Sequence, residues 1–480
     1  MSKNFRNVKV VNSEVELVKV SENYKEVLAD IDDTNAYFNL DEFHSYVFSD
    51  YLKNIFFTFR MKLSRYQSLI LCERCYSYSI QSQRYCRYDE NAEVILEGLD
   101  DEELLKSIDM NCILDYLDDC LSIYRALSKL KEGCENKSKF KTEDFKYGIP
   151  IEDARYILPM AFTCNQIITL NGMQVLDLLA ICKSYINLKE LYLKLVNIEE
   201  IKTIMEKVMF ILPYINSKNV SLRLEKSLIY NNTENNVELN FIDKLDIAGE
   251  AALTCTGKNI DDCAVLSKVA TRVAGGLKHI SILDHVILSY NGCLSVAAYN
   301  QLVRHRLQKM NRAVFDISIF DNPIKEMIIP DTIKNKSKEY ITKLMRDINL
   351  HMVVDDIEIL FKKYFDKFSK MTNELEYDLA FKEICDIVLA PLFPMGTKVR
   401  FTVINDLSNE LYICSKRSCM KAQWEIRDFT YNKLKLLINE IGNKELFKQL
   451  AAPGCITGKC PEGRECCGDN TLVKNIFLNI

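Results

Sequence analysis

The sequence predicts an α+β protein that contains two similar domains in tandem. Two observations lead to this prediction: one order of segments occurs twice along the chain, and each copy combines extended stretches with a long amphipathic helix. A chain of 480 residues with 48% hydrophobic residues is long enough to fill two or three separate cores. The chain is therefore expected to be globular.

The internal repeat consists of three segments in each half. In the first half they are "LILCERCYSYSIQSQRY" (69–85), a helical run at 101–130 and "GIPIEDARYILPMAFTCNQIITLNG" (148–172). In the second half they are "QLVRHRLQKMNRAVFDI" (301–317), a helical run at 339–368 and "EICDIVLAPLFPMGTKVRFTVIND" (383–406). Arg74 and Arg306 are 232 residues apart, and Asn171 and Asn405 are 234 apart. Two independent pairs thus give nearly the same offset.

Local sequence patterns place strands and helices within each half. The extended stretches 7–20 and 219–226 are predicted to form the first strands of the two halves. Each helical run has apolar residues at spacings of about three and four, which predicts a helix with one buried face. These residues are Leu104, Ile108, Ile113 and Leu117, and Ile341, Leu344, Ile348 and Val353. The polar stretch 230–240 has the composition of a linker. The predicted domains are therefore 1–228 and 241–450, followed by a Cys-rich tail at 451–480.

Composition and charge exclude several classes of partner. The formal net charge of −5 and the isoelectric point near 5.8 provide no positive field, so neither nucleic acid nor a membrane surface is an expected partner. Residues 1–30 lack the apolar segment of a signal peptide, and no later stretch approaches the roughly 18 apolar residues of a membrane span. The 18 cysteines then indicate a reduced, cytoplasmic protein.

Three adjacent cationic or protonatable side chains occur in the second half. Arg304, His305 and Arg306 repel one another, so a folded protein accommodates them on a solvated face or around a bound anion. Guanidinium groups match phosphate oxygens in a bidentate arrangement. A phosphate-bearing ligand is therefore the functional interpretation, and a solvated basic turn is the alternative.

Five short motifs resemble, in order, those of the flavin-dependent thymidylate synthase family. They are "SYSIQSQRY" (77–85) and "EDARYILP" (152–159) in the first half, and "HISILDH" (279–285), "QLVRHR" (301–306) and "RSCMKAQWEIR" (417–427) in the second. The resemblance covers roughly residues 40–200 and 245–440. It implies two tandem copies of the family fold, an antiparallel sheet with long helices. It also implies methylation of dUMP to dTMP with methylenetetrahydrofolate, NADPH and FAD.

The two halves retain different parts of the family's site. The second half keeps the residues that the resemblance assigns to flavin and to one side of dUMP: His279, Ser281, Asp284, Gln301, Arg304, His305, Arg306, Asn405 and Arg417. Among these, Gln301, Arg304 and Arg417 are the candidate contacts to dUMP. The first half keeps the residues that close on the nucleotide: Ser82, Gln83, Arg84 and Arg155. When the two halves of the chain are aligned with each other, Arg155 aligns with Asp386 and Arg417 aligns with about Cys182.

This division implies one complete site between the halves and one defective site. Family members are homotetramers with sites at subunit interfaces, so two chains of this protein are expected to form a homodimer that mimics the tetramer. Arg417 is expected to polarise the pyrimidine edge. Ser82 is the other candidate catalytic residue, as a hydrogen-bond donor to the nucleotide, although a plain turn hydroxyl is the alternative because its motif contains no base. A non-catalytic flavin- or nucleotide-binding protein and an enzyme for another deoxyuridine nucleotide are the alternative functions.

The C-terminal tail contains four cysteines in the stretch "CITGKCPEGRECCG". Cys455, Cys460, Cys466 and Cys467 could provide four thiolates for tetrahedral zinc. The paired C-x2-C spacing of such sites is missing and no histidine lies nearby, so the signal for zinc is weak. A redox-sensitive tail, a structural tail and mobile thiols are the other interpretations.

Overall fold

A computed structural model describes most of the chain. The described residues are 7–37, 45–74, 76–88, 91–97, 109–129, 149–207, 236–254, 256–258, 261–276, 279–313, 315, 325–334, 363–367, 389–458, 460–463, 466–468 and 470–479. Contacts divide the chain into two compact units that are discontinuous in sequence. Unit 1 comprises Met1–Lys129, Ile151–Lys226 and Val314–Gly396, and unit 2 comprises Leu130–Pro150, Ser227–Ala313 and Thr397–Ile480. Unit 1 thus includes residues from the second copy of the repeat, and the domain boundaries drawn from the sequence stay a prediction.

The main sheet of unit 1 has four antiparallel strands in the order β2-β3-β6-β4. The strands of this unit are β1 (Val8–Val10), β2 (Glu14–Val20), β3 (Phe56–Ser64), β4 (Ser77–Ile80), β5 (Ala92–Val94) and β6 (Thr163–Asn171). Strands β1 and β5 form a separate parallel pair. Along β3, alternate residues are buried, as expected for a strand with one face on a core.

The first half contains eight described α-helices, and capping boxes start two of them. The eight helices are α1 (Tyr24–Tyr37), α2 (Ser45–Lys53), α3 (Arg65–Cys72), α4 (Met110–Lys129), α5 (Ile151–Ala154), α6 (Gly172–Ser184), α7 (Lys189–Val196) and α8 (Glu199–Lys207). Ser64 with Gln67 and Asn171 with Gln174 form capping boxes at the starts of α3 and α6. Because each capping residue is also the last residue of a strand, the strand ends set where these two helices begin.

Unit 2 contains a sheet of the same kind, in the order β7-β8-β10-β9. Its strands are β7 (Val237–Ile242), β8 (Ile287–Ser295), β9 (Lys309–Arg312) and β10 (Lys398–Asp406). The helices of the second half are α9 (Asp246–Thr254), α10 (Cys263–Gly275), α11 (Val296–Leu302), α12 (Asp331–Lys334), α13 (Leu407–Arg417), α14 (Trp424–Ile441), α15 (Lys444–Leu450), α16 (Gly454–Thr457) and α17 (Thr471–Asn479). Of these, α12 belongs to unit 1.

The two sheets confirm the predicted α+β tandem repeat. Each strand of the first sheet has a counterpart at the same position in the second, and both edge strands β2 and β7 carry a register shift. Strands β6 and β10 begin 235 residues apart, at Thr163 and Lys398. This offset differs by one from that of the Asn171–Asn405 pair. The structural partner of Asn171 is therefore Asp406, and both residues cap the helix that follows.

The offset of 235 residues also changes which residue of the second half corresponds to Arg155. Arg155–Ile157 and Ala390–Leu392 are equivalent 3-10 helices, and the backbone of Pro159 pairs with that of Pro394. The residue in the place of Arg155 is thus Ala390, and the alignment with Asp386 was wrong. The conclusion drawn from it is unaffected, because the second half still lacks this arginine.

The structure confirms two of the elements predicted from the sequence and corrects the end of the predicted linker. Strands in 7–20 and a helix with Ile113 and Leu117 fully buried are confirmed, as β1, β2 and α4. The expected linker through residue 240 was wrong at its end, because β7 begins at Val237, where pairing with β8 outweighs the polar composition. The predicted strand at 219–226 and most of the helical run at 339–368 lie outside the described residues. Across the described helices, none combines the length and apolar character needed to span a bilayer.

Candidate active site

In unit 2, the family-like residues converge at the end of α13. Asp406 caps the start of this helix, and Arg417 is its last residue. A guanidinium at this end interacts favourably with the helix dipole. Arg417 Nε donates to His305 Nε2 at 2.8 Å, and its Nη2 donates to the backbone oxygen of Gln301 at 2.7 Å. Arg417 is therefore joined to two residues of the "QLVRHR" motif, which lies more than 110 positions earlier in the chain.

The bond from Arg417 determines the protonation of His305. An imidazole nitrogen that accepts a hydrogen bond carries no proton, so His305 is neutral and its proton is on Nδ1. Burial, and then the positive charge of Arg417, lower the pKa of His305 from 6.5 to about 3. Of the three adjacent cationic or protonatable side chains, the central one is thus uncharged at neutral pH.

The depressed pKa of His305 predicts a loss of stability in acid. The unfolded chain binds a proton at this position below about pH 6.5, whereas the folded chain resists it until about pH 3. The free energy of unfolding should therefore fall as the pH is lowered through that window. In His305→Gln, which retains an acceptor for Arg417, this fall should be shallower in urea titrations at pH 7.5 and pH 5. The exposed His285 offers a matched control, and an equal change in His285→Gln would contradict the assignment.

A second layer of contacts fixes the loop that follows Arg417. Gln301 Nε2 donates to Gln423 Oε1, and both side chains are buried. Glu425 accepts from the backbone nitrogen of Ser295 at 2.5 Å and from its hydroxyl at 2.6 Å. The Gln301 Oε1 atom is buried and makes no hydrogen bond within the chain. A ligand with an N–H group could satisfy this acceptor, since buried polar atoms are usually paired.

The other family-like residues of unit 2 form a more exposed rim. Arg304 and Arg306 are exposed, and both interact with other groups of the chain. His279, Ser281 and Asp284 are exposed on or next to the 3-10 turn Ile280–His285, which packs against α9, α10 and α13. The rim thus carries donors and cations that a phosphate-bearing ligand could reach.

Asn405 occupies a different setting from the other candidates. Its Nδ2 donates to Glu410 Oε2 at 2.9 Å, and its Oδ1 accepts from the Asn409 side chain at 2.8 Å. The side chain is buried and joins a network inside unit 2. A direct contact between Asn405 and a cofactor stays a prediction.

Sequence reasoning missed the buried ion pair below this site. Lys433 and Glu410 are in contact, and their side chains are 1% and 0% exposed. The Lys433 ammonium also lies 4.7 Å from the ring centre of Tyr290, a favourable position for a cation–π interaction. Burial lowers the pKa of Lys433, but the Glu410 carboxylate, Tyr290 and Cys414 together outweigh burial, and the pKa is raised. No motif marks these residues. The only sequence signal is that each charged residue stands at a helix position where the spacing of apolar residues predicts a buried side chain.

In unit 1, the nucleotide-closing residues lie on a tight turn and a neighbouring helix. The backbone nitrogen of Cys86 donates to Ser82 O at 2.9 Å, which closes the turn that carries Gln83 and Arg84. Arg84 Nε donates to the Glu152 carboxylate at 2.5 Å, and Arg155 Nε donates to the Glu152 backbone oxygen at 3.1 Å. The two predicted arginines are therefore brought together on one acidic residue.

Burial makes the arginine cluster of unit 1 costly without a ligand. Arg155 is 6% exposed, and burial lowers its pKa from 12.5 to about 10. The nearby Tyr156 and Glu152 act against this shift, whereas Arg84 and Arg65 add to it. Cations held this close are stabilised by an anion. The cluster is thus suited to bind a phosphate.

In unit 1, the position equivalent to the Arg417–His305–Gln301 cluster has different chemistry. Cys182 lies on α6 where Arg417 lies on α13, and burial raises the pKa of its thiol. The hydroxyl of Tyr76 donates to the Asp177 carboxylate nearby. Arg74 is the remaining cation at this position, and it acts on Tyr76. An anionic cofactor would meet a carboxylate and a neutral thiol here. That this copy of the site is defective stays a prediction.

The cysteines of the tail are reduced thiols. Cys419, which the sequence analysis did not connect to the tail, interacts with Cys455 and Cys460. Among the residues that the structure describes, no group of three or more His, Cys, Asp or Glu side chains is placed to hold a metal ion. The zinc hypothesis for Cys455, Cys460, Cys466 and Cys467 therefore has no support in the geometry.

The sequence profile of the family described as "Thymidylate synthase complementing protein" matches two segments of the chain, 19–208 and 239–441. The chain belongs to this family. The two matched segments coincide with the two copies of the repeat, so this member of the thymidylate synthase complementing protein family is a tandem form.

Curated relatives of this family member are similar to it over shorter stretches. Flavin-dependent thymidylate synthases from Geobacter sulfurreducens and Thermococcus onnurineus are 25% and 26% identical, over 45% and 39% of this chain and 81% and 70% of their own length. The enzyme of the same name from Clostridium tetani is 28% identical over 42% of this chain and 76% of its length. Each relative therefore matches about one copy of the repeat. Family membership and these relatives identify the chain as an enzyme of the thymidylate synthase class.

Proposed function

We propose that this enzyme methylates dUMP to dTMP with methylenetetrahydrofolate as carbon donor, NADPH as reductant and FAD as bound cofactor. We further propose that the two retained sets of motif residues act together in one site per chain, and that two chains form a homodimer with two such sites. The observation that carries this proposal is that each unit contains one of the two clusters of motif residues and lacks the other, among the described residues. The Arg417–His305–Gln301 cluster is present only in unit 2, and the Arg84–Glu152–Arg155 cluster only in unit 1, as far as the described residues extend.

The donor set of unit 2 fits a flavin dinucleotide. The exposed cations Arg304 and Arg306 would hold its phosphates, with His279, Ser281 and Asp284 at the rim. Beside the flavin, Gln301 Oε1, which is buried and makes no hydrogen bond within the chain, would accept from the N–H group of the pyrimidine ring of dUMP. The chemistry that FAD would supply at this site, after reduction by NADPH, is hydride donation and transfer of the one-carbon unit.

The side chains contribute orientation and charge stabilisation in this proposal. Arg417 would donate to the pyrimidine edge as negative charge develops there, and its bonds to His305 and Gln301 preorganise it. Ser82 and Gln83 would donate to the nucleotide, while Arg84 and Arg155 bind its phosphate. None of these groups needs to change its covalent bonds.

Two assays separate this function from its alternatives. Purified protein should be yellow or become yellow with FAD, and should release tritium from dUMP labelled at C5 when the folate and NADPH are present. Binding of FAD and dUMP without tritium release would favour a non-catalytic protein. Release from another deoxyuridine nucleotide, but not from dUMP, would favour the alternative substrate. If the protein binds neither FAD nor dUMP, the proposal is overturned.

Loss of Arg306 should reduce flavin binding far more than loss of Arg74. These residues occupy comparable positions in the two copies, but the surroundings of Arg74 include Asp177 and Cys182 instead of a cluster of donors. Arg306→Ala should weaken FAD about 10-fold or more, the effect of losing a charged hydrogen bond. Arg74→Ala should leave the flavin content unchanged. An equal loss of FAD affinity in absorbance titrations of the two variants would show that both copies of the site bind flavin.

Loss of Arg84 should weaken dUMP while sparing flavin. Its guanidinium is anchored by Glu152 and is only 20% exposed, so the variant loses one preorganised charged contact. Arg84→Ala should raise the Kd for dUMP about 10- to 100-fold. Calorimetric titration with dUMP tests this, with the FAD spectrum as the control. A loss of both ligands would indicate a folding defect and not a specific role.

A further inference from the structure

Arg65 is a buried cation that none of the quoted motifs contains. It is the first residue of α3, directly after the capping Ser64, and it is 8% exposed. Neither burial nor the positive end of a helix dipole favours a guanidinium. The corresponding first residue of the helix after β8 is Val296, which is fully buried and apolar. The fold therefore needs no arginine at this position, which suggests a functional reason for it.

The contacts of Arg65 connect it to the turn that carries Arg84. Arg65 Nη2 donates to the backbone oxygen of Gln81 at 3.1 Å, immediately before Ser82. Gln81 is also held by β6, because its backbone nitrogen donates to Asn165 O at 2.9 Å. Arg65 thus fixes the start of the Ser82–Arg84 turn from the protein interior.

The buried layer beneath this turn has unused hydrogen-bonding capacity. Gln83 Nε2 donates to the hydroxyl of Tyr88 at 2.8 Å, and this hydroxyl donates to the backbone oxygen of Thr163. Arg65 Nε and Gln83 Oε1 are buried and make no hydrogen bond within the chain. Unpaired buried polar atoms are rare and are usually explained by a ligand or an ordered water. The layer is thus incomplete without a further group.

Charge adds a second argument. Arg65 and Arg84 both act on Arg155 and disfavour its charged form, whereas Glu152 favours it. The carboxylate of Glu152 is already bound to Arg84, so the positive charge around Arg155 exceeds this one nearby negative charge. The excess positive charge matches a phosphate monoester, which carries about −1.5 to −2 at neutral pH.

We propose that Arg65 is a positioning residue for the phosphate of the substrate nucleotide. Its bond to Gln81 holds the Ser82–Arg84 turn, and its charge makes the site of Arg84 and Arg155 selective for a dianionic phosphate monoester over the uncharged nucleoside. This inference rests on the proposed binding of dUMP, and it assigns the recognition of the phosphate to a residue outside the family-like motifs.

The test compares dUMP with deoxyuridine in Arg65→Met, Arg65→Lys and a matched control. The control is Arg60→Gln, an exposed arginine on β3 that pairs with Glu16. In Arg65→Met, the preference for dUMP over deoxyuridine should fall about 10- to 100-fold, the loss expected for a charged hydrogen bond. Arg65→Lys keeps the charge without the fork and should retain part of the preference, and Arg60→Gln should retain all of it. The kcat at saturating dUMP should change less than the KM.

The outcomes distinguish this inference from the proposed function. If the wild-type protein does not bind dUMP, the proposed function fails, and the Kd for inorganic phosphate in the same variants then tests Arg65 directly. An unchanged preference, or an unchanged Kd for phosphate, would overturn the role of Arg65. If Arg65→Met does not fold, Arg65→Lys decides: a reduced preference at an unchanged melting temperature supports the inference, and a full preference contradicts it.

Discussion

Arg417→Ala should lower kcat/KM for tritium release from dUMP by about 10²- to 10³-fold, the usual effect of removing one preorganised donor to a developing anion. In the folded chain, Arg417 is held by two hydrogen bonds, to His305 and to the backbone of Gln301. A donor restrained in this way loses little freedom when the transition state forms, so its removal should affect kcat more than the binding of dUMP. Steady-state kinetics at several dUMP concentrations separates the two effects.

The control for this prediction is the preceding residue. Lys416 is an exposed cation on the same helix, 5.4 Å from the ring centre of Tyr412, and it also lowers the pKa of His305. Lys416→Gln should change kcat/KM by less than about 3-fold, since exposed charges contribute little. Comparable losses in both variants would show that general positive charge, and not the placed donor, matters.

Lys433→Met should destabilise the protein by about 3–5 kcal/mol, the typical cost of leaving one member of a buried ion pair uncompensated. The remaining Glu410 carboxylate would still accept from Asn405 and Cys414 but would have lost its cation. Because α13 carries both Glu410 and Arg417, part of the active-site cluster should loosen as well. Urea unfolding followed by circular dichroism measures the change.

Two further variants define the origin of that loss. Lys435→Met, at an exposed position on the same helix, should change stability by less than about 0.5 kcal/mol. Glu410→Gln combined with Lys433→Met removes the orphaned charge and should recover part of the stability. The raised pKa of Lys433 means that its contribution is complete below the unfolded value of 10.5 and is lost only above it. If the double variant is no more stable than Lys433→Met alone, the orphaned charge is not the source of the loss.

The motifs marked residues that contact one another in the structure, and the roles of these residues in binding and catalysis stay predictions. Gln301, His305 and Arg417 meet as expected, and so do Arg84 and Arg155 at Glu152. The protonation of His305 was not predictable, because it depends on burial and on a donor 112 residues away. Arg65 and Lys433 lie outside the quoted motifs, and the motif that contains Cys419 gives it no role, so the roles of these residues come only from the neighbours that folding provides.

The sequence by itself determined that the protein is an α+β tandem repeat and that each half retains a different set of motif residues. Periodicity and motif order are local properties, so they survive without coordinates. Only the tertiary structure decided the register of the two copies, because pairing of β6 and β10 with their neighbours showed that Ala390, and not Asp386, replaces Arg155. It alone also decided which charges are buried. Burial of Arg65, Arg155 and Lys433 depends on packing between segments distant in sequence, and their cost and function depend on that burial.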